Sequence, residues 1–143
     1  MGNHMIRFFL LAAIVLATSP LRAEGALAIG IIPSDYAKGV SAGWAANYAT
    51  QKEAEDMAMK RCLEEPNAPD EIRKLCKLVD SFRNRCVSVA IDPQDGETGT
   101  GWAIAPSSEE ADREALTLCR KTAGAKRQQA CQVSTRGCDG SAK

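Results

Sequence analysis

Histidine is all but missing from this sequence. Of 143 residues only His4 carries an imidazole, and none follows Met5. That excludes Ser-His-Asp and Cys-His nucleophile systems and histidine-liganded zinc from the body of the chain. Aromatic residues make up only 5%. No two cysteines have the C-x-x-C spacing of a zinc or redox site. An excess of basic charge is missing too, with 18 Lys and Arg against 18 Asp and Glu. Nucleic-acid binding and attachment to an anionic membrane both usually need such an excess, so neither partner is expected. The longest apolar run, Phe8 to Ala17, is ten residues. A bilayer span needs roughly 20, so stable membrane insertion is not expected. No cofactor motif is present, and none is expected to bind.

What is present begins with an export pattern. Residues 1–5 read as an expression scar that ends at the natural start, Met5. Residues 5–23 read as a signal peptide: Arg7 supplies the positive end, Phe8–Ala17 the apolar stretch, and Pro20-Leu21-Arg22-Ala23 the exit to a small residue. Ala26-Leu27-Ala28 matches the cleavage pattern better, but cutting there would remove the start of the first strand. Cleavage is therefore expected after Ala23, leaving 24–143 as a single disulfide-stapled domain. Loss of Arg7 and Arg22 leaves 16 basic against 18 acidic residues. Behind such a leader, an even number of cysteines reads as a disulfide framework, and there are six: Cys62, Cys76, Cys86, Cys119, Cys131 and Cys138.

A duplication organises the domain into units of about 25–85 and 86–140. Thr50-Gln51-Lys52-Glu53-Ala54, followed by Ala58 and Cys62, recurs 57 positions later as Ser107-Ser108-Glu109-Glu110-Ala111, followed by Ala115 and Cys119. Gly43-Trp44-Ala45 recurs as Gly101-Trp102-Ala103 with a one-residue slip, and Ala28-Ile29-Gly30 resembles Val89-Ala90-Ile91. Thr50 with Glu53 and Ser107 with Glu110 have capping-box spacing, so each predicts a helix start. Small residues then recur at helical spacing and place Cys62 and Cys119 on buried stripes. Strands are predicted at Leu27–Ile32, Ser41–Tyr48, Leu75–Phe82, Val87–Ile91, Thr100–Ala105 and Cys131–Arg136. The expected fold is α+β: two strand-strand-helix-strand repeats forming one mainly antiparallel sheet, with two helices on one face.

The repeat also orders the cysteines. Equivalent bridges would be Cys62–Cys76 and Cys119–Cys131, each pinning a helix end to the following strand. Cys86 and Cys138 then remain for each other. Six cysteines allow many pairings, and this choice rests on the duplication alone.

Taken in order, several segments resemble a secreted bacterial family known only as domain of unknown function four-one-eight-nine. They are Gly25-Ala26-Leu27-Ala28-Ile29-Gly30, the Ala-rich helix ending in Cys62, Phe82-Arg83-Asn84-Arg85-Cys86-Val87, Gly101-Trp102-Ala103 and Arg136-Gly137-Cys138-Asp139-Gly140. The resemblance covers nearly all of residues 25–140. It implies export, disulfides and an α+β fold, and it transfers no catalytic residues.

Candidate chemistry is sparse. Asp92, Asp95 and Glu97 cluster, but Pro93 and Gly96 mark an ordinary hairpin turn, and the spacing fits no calcium loop. Arg73, Lys74, Lys77, Arg83, Arg85 and Arg136 would form a basic patch if they shared a face. A solvated sheet face is the plainer reading. Trp44 and Trp102, at equivalent repeat positions, read as quasi-symmetric core or rim residues. Exposed, they would anchor a partner. Ser107-Ser108 precedes a helix, and capping explains Ser107 without invoking a nucleophile. The expected function is a non-enzymatic binding module, periplasmic or secreted, of inhibitor, immunity or secreted-effector type. Its partner would be a protein or envelope component, with Trp44, Trp102, Arg83, Arg85 and Arg136 as candidate contacts. The alternative is a hydrolase that acts on a glycan with carboxylates alone. It would need two acidic residues in one cleft with different environments.

Overall fold

A computed structural model describes residues 23–143. The expression-scar reading of residues 1–5, and the signal-peptide reading except for Ala23, lie outside the described residues. Strands β1 (Glu24–Ile31) and β2 (Val40–Tyr48) precede helix α1 (Gln51–Leu63), a short helix α2 (Asp70–Arg73) and strand β3 (Lys77–Phe82). The second unit repeats the order with β4 (Cys86–Ile91), β5 (Thr100–Ala105), α3 (Ser108–Thr122) and β6 (Gln132–Cys138).

The α+β class, the antiparallel pairing and the three disulfides match expectation. The single sheet does not. The strands form two three-stranded sheets, ordered β2-β1-β3 and β5-β4-β6. Nor do both helices share a face, since each covers the outer face of its own sheet. The reason lies in the central strands, which are buried on both sides. On β1, Ala26 and Ala28 pack under α1 with Ala45, Ala54, Ala58 and Cys62. Leu27 and Ile29 point the other way, into one cluster with Phe82, Val87 and Val89. That cluster takes residues from both sheets. Each unit thus has a small-residue face for its helix and a branched face that only the other unit can cover. One continuous six-stranded sheet would leave the branched faces in water. The result is four layers: helix, sheet, sheet, helix.

The two units match in detail. Ala28 pairs with Gly43 on β2, and Ala90 pairs with Gly101 on β5. Ala28 therefore corresponds to Ala90, one residue away from the alignment suggested by the sequence alone. A register shift falls at matching places, between Leu27 and Ala28 and between Val89 and Ala90. The repeated glycines mark the closest approach of helix to sheet. A Cβ on Gly43 would lie 2.2 Å from the Ala58 carbonyl oxygen, and one on Gly101 would lie 2.3 Å from that of Ala115.

Local chemistry sets the helix starts. Thr50 Oγ1 accepts from the Glu53 N–H at 3.2 Å, and the Thr50 N–H donates to Glu53 Oε2 at 3.1 Å, a complete capping box. Ser107 Oγ accepts from the Glu110 N–H at 3.3 Å. The reciprocal half expected there is not formed, and Glu110 lies 3.6 Å from Arg113.

The bridges are Cys62–Cys76, Cys86–Cys138 and Cys119–Cys131, with no free cysteine among the described residues. Each lies within one unit. The units are joined by the inter-sheet core and by Asp139, whose side chain is fully buried. Its Oδ1 accepts from the Asn47 N–H at 2.9 Å and its Oδ2 from the Asn84 N–H at 3.0 Å. Asn47 and Asn84 hold φ of 63° and 50°, the left-handed region that Asn tolerates better than most residues.

Candidate binding groove

Where the two sheets separate at one side, they leave a groove of about 1050 Å³. Its apolar lining comes from Val40, Ala42 and Trp44 on β2 and from Val89 and Ile91 on β4, with Tyr36 from the β1–β2 turn. These are the margins of the inter-sheet core, and Val40, Trp44 and Ile91 are only partly buried. The rim comes from two loops. Glu64, Glu65 and Asn67 belong to the loop closed by Cys62–Cys76. Asp92, Asp95 and Glu97 belong to the β4–β5 loop. That loop is the hairpin turn expected from its sequence: the Asp92 N–H donates to the Gly99 carbonyl at 2.8 Å, and Gly96 has a φ of 80°.

Asp92 holds this loop down. Its carboxylate is fully covered and receives both Nε and Nη2 of Arg127, at 2.8 and 2.6 Å. The Arg127 hydrogen bond, helped by the Gln94 N–H, keeps the Asp92 carboxyl below the usual carboxylate range despite desolvation. The same carboxylate raises the Arg127 guanidinium. Glu97 lies 3.9 Å from Arg127. Arg127 sits in the segment closed by Cys119–Cys131, so a disulfide stands behind each acidic side of the groove.

Trp44 supplies the largest aromatic surface. Its ring lies over Gly137 of the second sheet, where a Cβ would sit 2.1 Å from the ring. Its indole N–H donates to Thr135 Oγ1 at 2.9 Å. Arg61 donates to the Trp44 carbonyl at 2.6 Å. Trp102 is half-buried in the inter-sheet cluster and does not line the groove.

The arginines singled out in the sequence do not line it either. Arg83 pairs with Glu24, Arg136 pairs with Asp112, and Arg85 donates to the Ile104 carbonyl at 3.0 Å. Arg73 pairs with Asp70. Three of the six cations of the supposed patch are thus held by carboxylates. Tyr36, Arg61 and Arg127 were not singled out in the sequence. Tyr36 is a scarce aromatic beside a Pro33-Ser34 turn, a usable signal. Arg127 carries none, because its partner is 35 positions away. Among the described residues no three His, Cys, Asp or Glu side chains gather as a metal site, and no helix is long and apolar enough to cross a membrane.

Two duplicated β-β-α-β units, packed sheet to sheet and stapled by three disulfides, define the architecture. A family model described as a domain of unknown function, DUF4189, matches residues 25–138, and the chain belongs to that family. Among solved structures it is similar to the NMR structure of Rv1813c from Mycobacterium tuberculosis, at 19% identity and a TM-score of 0.45, covering 96% of this chain and 94% of that one. No curated protein matches.

Proposed function

We propose that this protein is an exported, non-enzymatic binding module, periplasmic or secreted, that takes a segment of another protein into the inter-sheet groove. The observation that carries this reading is the groove itself, a concavity with an aromatic and aliphatic lining and a polar rim, as specific binding sites have. Three bonded disulfides support an oxidising compartment. The start of β1 at Glu24 supports cleavage after Ala23. A cut after Ala28 would remove Leu27 and Ala28, both fully buried.

The carboxylate-only hydrolase is less well supported. It needs one carboxyl held protonated near neutrality. The buried carboxylate of the groove is held the opposite way, ionised against Arg127.

Site-specific photo-crosslinking in the native host tests the binding reading. A crosslinker at Val40 or Asp95 should give a covalent protein adduct, and one at Arg113, on the outer helix, should not. Equal adducts from all three positions, or none from the groove positions, would overturn it. Intact mass of the purified native protein should place its start at Glu24.

A further inference from the structure

We infer that the groove selects a cationic segment, a stretch of another protein bearing Lys or Arg beside an apolar side chain. This rests on the proposed use of the groove as a protein-binding site and adds the chemistry of its occupant.

The argument is one of charge against shape. Five carboxylates line the groove, Glu64, Glu65, Asp92, Asp95 and Glu97, against two cations, Lys38 and Arg61. They are not equivalent. Asp92 is cancelled by Arg127, which grips it in a two-pronged ion pair. Glu97 stands 3.9 Å from the same guanidinium, whose one charge already faces Asp92. Glu65 accepts from the backbone and side chain of Asn67 at 3.3 and 3.1 Å, hydrogen bonds that leave its negative charge in place. Among the described residues no hydrogen bond or ion pair involves the Glu64 or Asp95 carboxylate. Arg61 donates to the Trp44 carbonyl, a neutral acceptor that leaves its positive charge in place. With Arg127 counted beside Lys38 and Arg61, five carboxylates face three cations, so the groove keeps a net negative charge, contributed from two separate loops.

Between those loops lies the apolar lining. A Lys or Arg side chain combines an aliphatic stem with a charged head, so it satisfies both surfaces at once. The face of Trp44 also favours a cation lying over it. An acidic segment would meet like charge on both sides. A neutral apolar one would fill the lining and leave the carboxylates without a partner. Electrostatic complementarity of this kind sets specificity and association rate, and it weakens with salt.

The test uses three synthetic nonapeptides in which Leu alternates with Lys, Ser or Glu, titrated into the isotope-labelled disulfide-bonded protein. Shifts of the Trp44 indole and of the Val40 and Ile91 amides mark the groove. The Lys peptide should move these signals, and its affinity should fall steeply between low and physiological salt. The variant Glu64→Gln, Glu65→Gln, Asp95→Asn, Glu97→Gln should bind it roughly tenfold more weakly, as expected for losing several exposed ion pairs, with its spectrum otherwise unchanged. If the Ser or Glu peptide binds the groove as tightly as the Lys peptide, the cationic selection is overturned while the groove stands as a binding site. If the Lys peptide binds but shifts residues outside the groove, or if no peptide binds, both readings fall.

Discussion

Glu24 and Arg83 form an ion pair at the position in the first sheet that a disulfide occupies in the second. Gly25 pairs with Phe82 across β1 and β3, so Glu24 and Arg83 stand one step further along. At the matching step across β4 and β6, Cys86 faces Cys138. The duplicated units thus close the same corner by different chemistry, with Glu24 largely buried under an exposed guanidinium. The Glu24 hydrogen bond raises the Arg83 guanidinium, so the pair stays charged wherever Glu24 is ionised.

The covalent corner should matter more. Cys86–Cys138 spans 52 positions, against 14 and 12 for the other two bridges. In the chain-entropy description a loop of about 50 residues is worth roughly 4 kcal/mol, and one of about 15 roughly 3. Replacing Cys86 and Cys138 together by Ala should therefore lower the urea midpoint most among the three paired replacements. Equal midpoints across the set would contradict this.

Both helix caps should be measurable. Thr50→Ala and Ser107→Ala should each cost about 1 kcal/mol. The loss should be larger at Thr50, where the capping box is complete, than at Ser107, where only the hydroxyl half is formed. Chemical denaturation of the two variants gives the comparison, and no change in either would place the helix starts elsewhere.

Gly43→Ala and Gly101→Ala should both be severe. The added methyl would meet helix backbone rather than a flexible side chain. Overpacking of this sort costs about 1–3 kcal/mol, and a rigid neighbour pushes it upward. Thermal unfolding of the two variants should show similar losses, because the glycines are equivalent. A loss at one site alone would deny that equivalence.

Asp92 should confer an acid limit on stability. Its folded-state carboxyl lies below the unfolded value of about 3.9. Its contribution is therefore fully present above that unfolded value and is lost as pH falls through the lower, folded one. The gap in midpoint between the wild type and Asp92→Asn should stay constant from neutral pH to about pH 5 and close at lower pH. A gap that persists unchanged at pH 2.5 would show that the Arg127 contact does not depend on ionisation.

What the sequence determined by itself was local or periodic. Thr50 and Ser107 announce helices because a cap involves residues three positions apart. The six strands are legible because their apolar runs end at turn residues. The cysteine pairs follow from the duplication, which sets Cys76 and Cys131 at similar distances, 14 and 12 positions, after Cys62 and Cys119. The tertiary structure alone decided that six strands make two sheets, that the helices lie on opposite outer faces, and that a groove opens between Trp44 and Ile91. It also decided that Asp92 is held by Arg127 and Asp139 by Asn47 and Asn84. The physical reason is distance along the chain. Those contacts join residues 35, 92 and 55 positions apart. No local spacing records which branched face will meet which, because either face of an apolar strand can be buried until the rest of the molecule chooses.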